Sequence, residues 1–450
     1  MREWHQQWFM REQLKSLEEE GCDVTAAAGE LESLIAAGMD ATRAEQWWRQ
    51  IESLPQRADF LYEEPSDAAG IAAARPEGPR RLRGKITRSA LADKTRGAWY
   101  GRSAGCLLGK PCEGWHRHRI ERALRALGEW PLSDYWPAVR ELPEGMMFGP
   151  PPEGSEAISY PAPDNPSLRQ NIVRMTRDDD MDYPILGLHL LESYGPGFTT
   201  EQVGREWLSR LPYWCVYTAE RVAYRNLVDE LAPPYTATYR NPYREWIGAQ
   251  IRADMWGWAA PGWPERAAEM AWRDAALSHT KNGIYGEMFF AALLAAAFME
   301  SDLHRLIEIG LSEIPARCRL REAVLDTVAW CQADADWETT WERINAKYGH
   351  YHGVHTINNA AIVLMGLLHS RGDFARAVSI AVMGGWDTDC NGATAGSVMG
   401  VILGAKALPE QWVGPLHDRI SSIVIGFTDM RLSELARRTR AVQARVLASE

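Results

Sequence analysis

Cysteine is scarce and shows no pairing pattern: seven residues in 450, odd in number, scattered, with no Cys-x-x-Cys unit. That excludes a disulfide framework and a cysteine/histidine zinc set, and a reducing, cytoplasmic setting is the expectation. Long hydrophobic runs are also missing. The longest charge-free apolar stretch, about residues 288–299, is too short to cross a bilayer. The first twenty residues, MREWHQQWFMREQLKSLEEE, hold no apolar segment of signal-peptide type, so no membrane partner is expected. Positive charge is in deficit, with 49 Lys and Arg against 60 Asp and Glu and a formal net charge of −11. Its basic patches, such as Arg80-Arg81-Leu82-Arg83, form no stripe, which argues against a nucleic-acid partner. Alternating β-branched runs bounded by turns are rare, so the fold class expected is all-α, a compact multi-helix bundle.

What is present divides the chain unevenly. Residues 1–62 carry helical periodicity broken at Gly21 and again at Gly38-Met39-Asp40, and read as a small helical N-terminal extension. Residues 63–88 mix Pro, Gly, Ala and charge and read as a linker. A helical domain is expected over 89–440, with a short tail over 441–450. Seven prolines fall between Pro143 and Pro166, a density that admits neither helix nor central strand. Such a loop is either a lid over a site or a surface insertion. Twenty tryptophans are far above average, enough for some to line a pocket.

Two glycine ladders stand out. Gly97, Gly101, Gly105 and Gly109 recur every fourth residue, as do Gly392, Gly396, Gly400 and Gly404. On a helix this spacing draws a stripe, at a cost of roughly 0.8–1 kcal/mol per glycine relative to alanine. Close approach of helix backbones is the compensation the spacing offers. The ladders either face each other or each faces a separate helix.

Each ladder lies beside chemistry. Asp387-Thr388-Asp389 precedes the second, and in an extended loop residues two apart point the same way, so both carboxylates can reach one hard cation. A separate run, Asp178-Asp179-Asp180 with Asp182, stands just ahead of an apolar helix. Helix capping accounts for some of this charge, yet adjacent carboxylates at ~4 Å repel by about 4 kcal/mol at an effective dielectric near 20. Oxygen-only clusters suit Mg²⁺ or Mn²⁺. Glu113, in GKPCEGW just beyond the first ladder, is a third carboxylate placed either at the same mouth or on an exposed loop.

With these residues in hand the chain resembles the ADP-ribosylglycohydrolase family over roughly 89–440. Gly101-Arg-Ser-Ala-Gly105-Cys-Leu-Leu-Gly109-Lys-Pro111-Cys-Glu113 resembles the family's opening Gly-Asp-x-x-Gly-x-Pro-x-Glu motif. Asp178-Asp179-Asp180-Met181 resembles Thr-Asp-Asp-Thr, and Gly384-Gly385-Trp386-Asp387-Thr388-Asp389-Cys390 resembles Gly-Gly-Asp-Thr-Asp-Thr with one added tryptophan. The resemblance implies a cleft holding two Mg²⁺ ions (Mn²⁺ as the substitute), with Asp178, Asp179, Asp180, Asp387 and Asp389 as ligands. It also implies Glu113 as the acid over the scissile bond, and His279 and the Gly248–Arg252 loop with Gln250 as ligand-cleft residues. Four departures bear on this: Cys106, Met181 and Cys390 replace an aspartate and two threonines, and Trp386 is added.

The chemistry expected is metal-assisted hydrolysis of a glycosidic bond to ribose, N-glycosidic in the first reading. Glu113, Asp179 or Asp180 would act as the proton-accepting carboxylate, and Trp386 would stack on adenine or an aromatic aglycone. The substrate is then an ADP-ribosylated protein side chain or, in a second reading, a small riboside. A third reading is a silent ADP-ribose-binding module.

Overall fold

The two glycine ladders are the two sides of one contact. Helix Arg88–Gly109 and helix Thr388–Leu403 run antiparallel, with Gly97 opposite Gly400, Gly101 opposite Gly396, and Gly105 opposite Gly392. A Cβ built on any of these six would come within 3.0 Å of the facing residue's carbonyl oxygen. Only hydrogen fits, and Cα–H groups pointing at carbonyls add weak attraction at each rung. Gly109 meets Thr388 in the same way. Gly404 is off the stripe: it ends its helix at φ +79°, where an L side chain is strained.

The computed structural model describes residues 3–152 and 154–449. They form 21 α-helices and four strands of three residues each. The all-α expectation is met. Around the glycine pair pack helices Phe374–Met383, Thr356–His369 and Lys281–Ala297. The last is apolar on all sides and buries every residue from Asn282 to Ala297, which makes it the centre of the bundle. The Pro-rich stretch holds a short parallel pair, Met146–Phe148 with Ile158–Tyr160, anchored where the Tyr160 hydroxyl donates to the Pro137 carbonyl at 2.8 Å. A second small pair, Arg419–Ser421 with Asp429–Arg431, is antiparallel.

Near the N-terminus three helices form, Glu3–Glu19, Thr25–Ala36 and Ala41–Ile51. They share a core of their own around Leu14, Leu31, Leu34, Trp47 and Trp48. The stretch from 63 to 88 contains helix Ala68–Ala74 and is held to the bundle along its length. Glu63 N–H donates to Arg317 O at 2.7 Å, Leu82 N–H donates to Gly262 O at 2.8 Å, and Ile71 is buried in the main core. At the other end, helix Leu432–Leu447 continues across residue 440 and buries Val442, Gln443 and Val446.

Candidate active site

The site is assembled where the glycine pair opens. Gly109 ends one helix and Thr388 begins the other, and Thr388 Oγ1 donates to Gly109 O at 2.8 Å. The turn that follows Gly109 is zipped to the loop that precedes Thr388. Gly114 N–H donates to Trp386 O at 2.9 Å and Trp386 N–H to Trp115 O at 2.8 Å. Gly385, at φ +81°, lies so close that a Cβ there would meet Arg117 N at 2.6 Å. Glu113 is thereby set beside Asp387 and Asp389, their ligand oxygens all within 4.8 Å of one another.

Asp387 is the N-cap residue of helix Thr388–Leu403, but its side chain accepts no hydrogen bond from the helix N–H groups, and it lines the cleft. Its backbone N–H is held by Asn359 Oδ1 at 3.2 Å, and Asn359 is itself fixed by Asn391 Nδ2 at 2.8 Å. Across the cleft, Asp178 caps helix Asp179–Tyr194, accepting from Asp180 N–H at 3.0 Å. Asp178 also forms an ion pair with Lys110, whose ammonium donates to Arg177 O at 3.1 Å.

Asp180 is reached from beneath by Arg102, which is wholly buried in the first glycine helix. Pro184, inside the helix, has no N–H to offer the Asp180 carbonyl four residues back. Arg102 Nε takes that place at 2.9 Å, while its Nη2 pairs with Asp180 Oδ1 at 2.8 Å and its Nη1 with Asp254 Oδ2 at 2.6 Å. Asp182 turns away from the cleft and is consumed by Arg177 Nε (2.8 Å), Ser422 Oγ (2.7 Å) and Ile423 N–H (2.9 Å).

The electrostatics separate the two acidic groups. Burial pushes the carboxyls of Asp179 and Asp180 well above the usual range, and the neighbouring aspartates push Asp179 further. Asp389 rises for the same reason, with Glu113 and Asp178 adding repulsion. Burial lifts Asp387 to about 6. Glu113 stands exposed at the mouth, yet desolvation at its carboxyl, followed by repulsion from Asp387 and Asp178, takes it to about 7. Asp178 is the exception: burial opposes its charge, but Lys110 holds it below the ordinary value. Two buried carboxylate oxygens, Asp180 Oδ2 and Asp389 Oδ1, have no hydrogen-bond partner among the described residues. Orphaned anionic oxygens in a buried cluster are what a cation would satisfy.

These groups border a cavity of about 340 Å³, whose walls include Lys110, Glu113, Asp178, Asp179, Asp387 and Asp389 together with Tyr217, Trp246, Ile247 and Ile251. Asp179 and Asp387 therefore share one cavity. Three residues expected in the ligand cleft are not on its walls. His279 is fully buried, its Nδ1 2.8 Å from Ser278 Oγ. Gln250 is buried in the 3₁₀ turn Gln250–Arg252, and its neighbours Gly248 and Ile251 are the ones that reach the cavity. Trp386 is buried beside Trp341, ring centroids 6.2 Å apart, because the added residue takes φ +63° and turns its ring away. No described residue of 143–166 lines the cavity either.

Sequence reasoning missed Lys110, Arg102, Asn359 and Trp246. Lys110 and Arg102 carried a visible signal, since each is a cation directly following a glycine of the first ladder. Trp246 is one tryptophan among twenty, with nothing local to single it out.

The molecule is an all-α bundle in which a close helix pair brings carboxylates from both halves of the chain to one cavity. The family model for ADP-ribosylglycohydrolases matches residues 87–446, and the chain belongs to that family. It is a hydrolase of glycosidic bonds. A solved structure described as an ADP-ribosylglycohydrolase-related protein complex aligns with TM-score 0.46 at 19% identity, over 80% of this chain and 99% of that one. No curated protein matches the chain.

Proposed function

We propose that this chain cleaves an N-glycosidic bond at the anomeric carbon of a ribose, releasing ADP-ribose from a modified side chain. The observation that carries the reading is the grouping of Glu113, Asp387 and Asp389 within 4.8 Å at the mouth of a cavity bordered also by Asp179. The orphaned oxygens of Asp180 and Asp389 fit a hard divalent cation, Mg²⁺ or Mn²⁺. Asp387 and Asp389, which face the Asp178–Asp180 run, are the two residues proposed to hold it. When bound, such an ion lowers the pKa of a water and offsets the carboxylate charge.

The protein's own groups supply the rest. A carboxyl near 7 is suited to exchanging a proton at neutral pH, so Glu113 is the group proposed to accept the proton of the attacking water. Asp387, ionised above about pH 6, favours positive charge developing on the ribose ring. Trp246 and Tyr217 present flat apolar walls against which a base or aglycone packs.

A second reading, a small riboside as substrate, is favoured by the cavity size. At about 340 Å³ it lies near the lower end of the roughly 300–1,000 Å³ typical of ligand sites. Turnover of an ADP-ribosyl-arginine peptide, compared with that of free ribosides under Mg²⁺ and Mn²⁺, separates the two. Asp387→Asn combined with Asp389→Asn is expected to abolish turnover of either while the far-ultraviolet circular dichroism is unchanged. Full activity in that double variant removes the proposal.

A further inference from the structure

Three groups of side chains in the cleft bring potential ligand atoms within 4.8 Å: Cys106 with Asp178 and Asp180, Asp180 with Asp389 and Cys390, and Glu113 with Asp387 and Asp389. They differ in what the protein has already given them. In the first, both oxygens of Asp178 already have a partner: Oδ1 accepts the Asp180 N–H at 3.0 Å and Oδ2 is paired with Lys110. Asp180 spends one oxygen on Arg102 at 2.8 Å. The remaining member, Cys106, is a buried thiol, a poor partner for a hard ion. The second group shares Asp180 and adds another thiol. Only the third is made entirely of carboxylate oxygens, and none of its members forms an ion pair with a lysine or arginine among the described residues.

We infer that the Lys110 ammonium takes the place of one of the two divalent ions that the family resemblance implies, so that the cleft binds a single ion, on Asp387 and Asp389 beside Glu113. The inference rests on the hydrolase reading given above and specifies its metal content. The chemistry is consistent on both sides. An ammonium is a compact, strongly hydrated point charge, able to neutralise Asp178 and to bond the Arg177 carbonyl without demanding octahedral geometry. A divalent ion in the same position would have to displace it from Asp178 and break the cap on Asp180 N–H. The substitution also accounts for an aspartate at 178: a hydroxyl there would leave the ammonium with no anionic partner at that position.

The test is a count of bound Mn²⁺ on the full chain, by electron paramagnetic resonance of free ion at equilibrium. One ion per chain is expected. Asp387→Asn is expected to reduce the count to zero. Asp178→Asn, which keeps a good helix cap, is expected to leave it at one. Lys110→Met is expected to raise it to two. A count of two in the unaltered protein overturns the inference, as does loss of the ion in Asp178→Asn or a count of one in a folded Lys110→Met. If Lys110→Met does not fold, the unaltered protein and the two aspartate variants still decide. Hydrolysis is scored separately. A chain that holds one ion by this pattern and cleaves no riboside refutes the functional reading and leaves the ion count standing.

Discussion

Thr388 Oγ1 donates a 2.8 Å hydrogen bond to the carbonyl of Gly109, joining the last residue of one glycine helix to the first residue of the other. Those two residues are 279 positions apart, yet the bond sets the spacing of every carboxylate around them. The glycine rungs behind it fix the helix separation, so the ladders determine how far Glu113 stands from Asp387.

The first prediction concerns those rungs. Gly105→Ala and Gly392→Ala each drive a methyl into a facing backbone carbonyl. Backbone cannot rotate away, so the cost is that of overpacking, about 1–3 kcal/mol or more. The control is Gly29→Ala, in an exposed turn of helix Thr25–Ala36 with nothing within 4 Å of the added Cβ. There alanine should stabilise by roughly 0.5–1 kcal/mol through helix propensity. Urea midpoints for the three variants give the signs; a stable Gly105→Ala variant contradicts the packing argument.

How much of this was legible in the sequence follows from which interactions are local. The ladders, the Asp387-Thr388-Asp389 unit and the 178–180 run each show in a window of a few residues, and the motif order gave the family and the all-α fold. What was not legible depends on contacts across the chain. Whether the ladders faced each other, that Pro184 frees a carbonyl for Arg102, and that Lys110 reaches Asp178 are all set by tertiary packing. Trp386 lies off the cavity wall, its ring beside Trp341, with a left-handed backbone conformation that sequence does not announce.

The second prediction concerns attachment of the N-terminal segment. Arg319 is buried, paired with Glu64 at 2.6 Å and with Glu245 at 2.7 Å. Glu64 is equally buried, its side chain 1% exposed, and also accepts from Asn282 Nδ2 at 2.8 Å. Truncating one member of a buried pair costs about 3–5 kcal/mol; with Glu245 still in place, the lower end is expected for Glu64→Ala. Because Glu64 leads directly into the three N-terminal helices, cleavage by a protease near residues 52–62 should quicken in the same variant. An unchanged digestion pattern would show that the helices hold on without this pair.

The third prediction separates two tryptophans. Trp246 lines the cavity and stacks on His352, ring centroids 4.2 Å apart at 10°, whereas Trp386 lies outside it. Trp246→Ala should raise KM about tenfold, the equivalent of ~1.4 kcal/mol of lost packing, with kcat changed far less. Trp386→Ala should instead lower stability by about 3 kcal/mol, as for other buried tryptophans. Steady-state kinetics and thermal melts on both variants check the assignment, and a KM effect confined to Trp386→Ala reverses it.

The last prediction is a pH dependence whose sign the buried acids determine. Asp387 is raised from 3.8 to about 6 and Glu113 from 4.5 to about 7. In that window the folded chain binds more protons than the unfolded chain, so these groups take stability away as pH rises through it. Asp178 has the opposite sign, being lowered by Lys110. Its contribution is present above 3.8, is lost only in stronger acid, and so does not offset the trend near neutrality. A divalent ion replaces the protons above pH 7 and is displaced by them below. The rise in Tm on adding Mg²⁺ to chelator-treated protein should therefore be several degrees at pH 8 and near zero at pH 5. Comparing with and without metal at each pH cancels the titration of every group elsewhere in the molecule. An equal rise at both pH values would mean that protons and metal do not compete for the same carboxylates, and that the cluster around Glu113 and Asp387 is not where the ion binds.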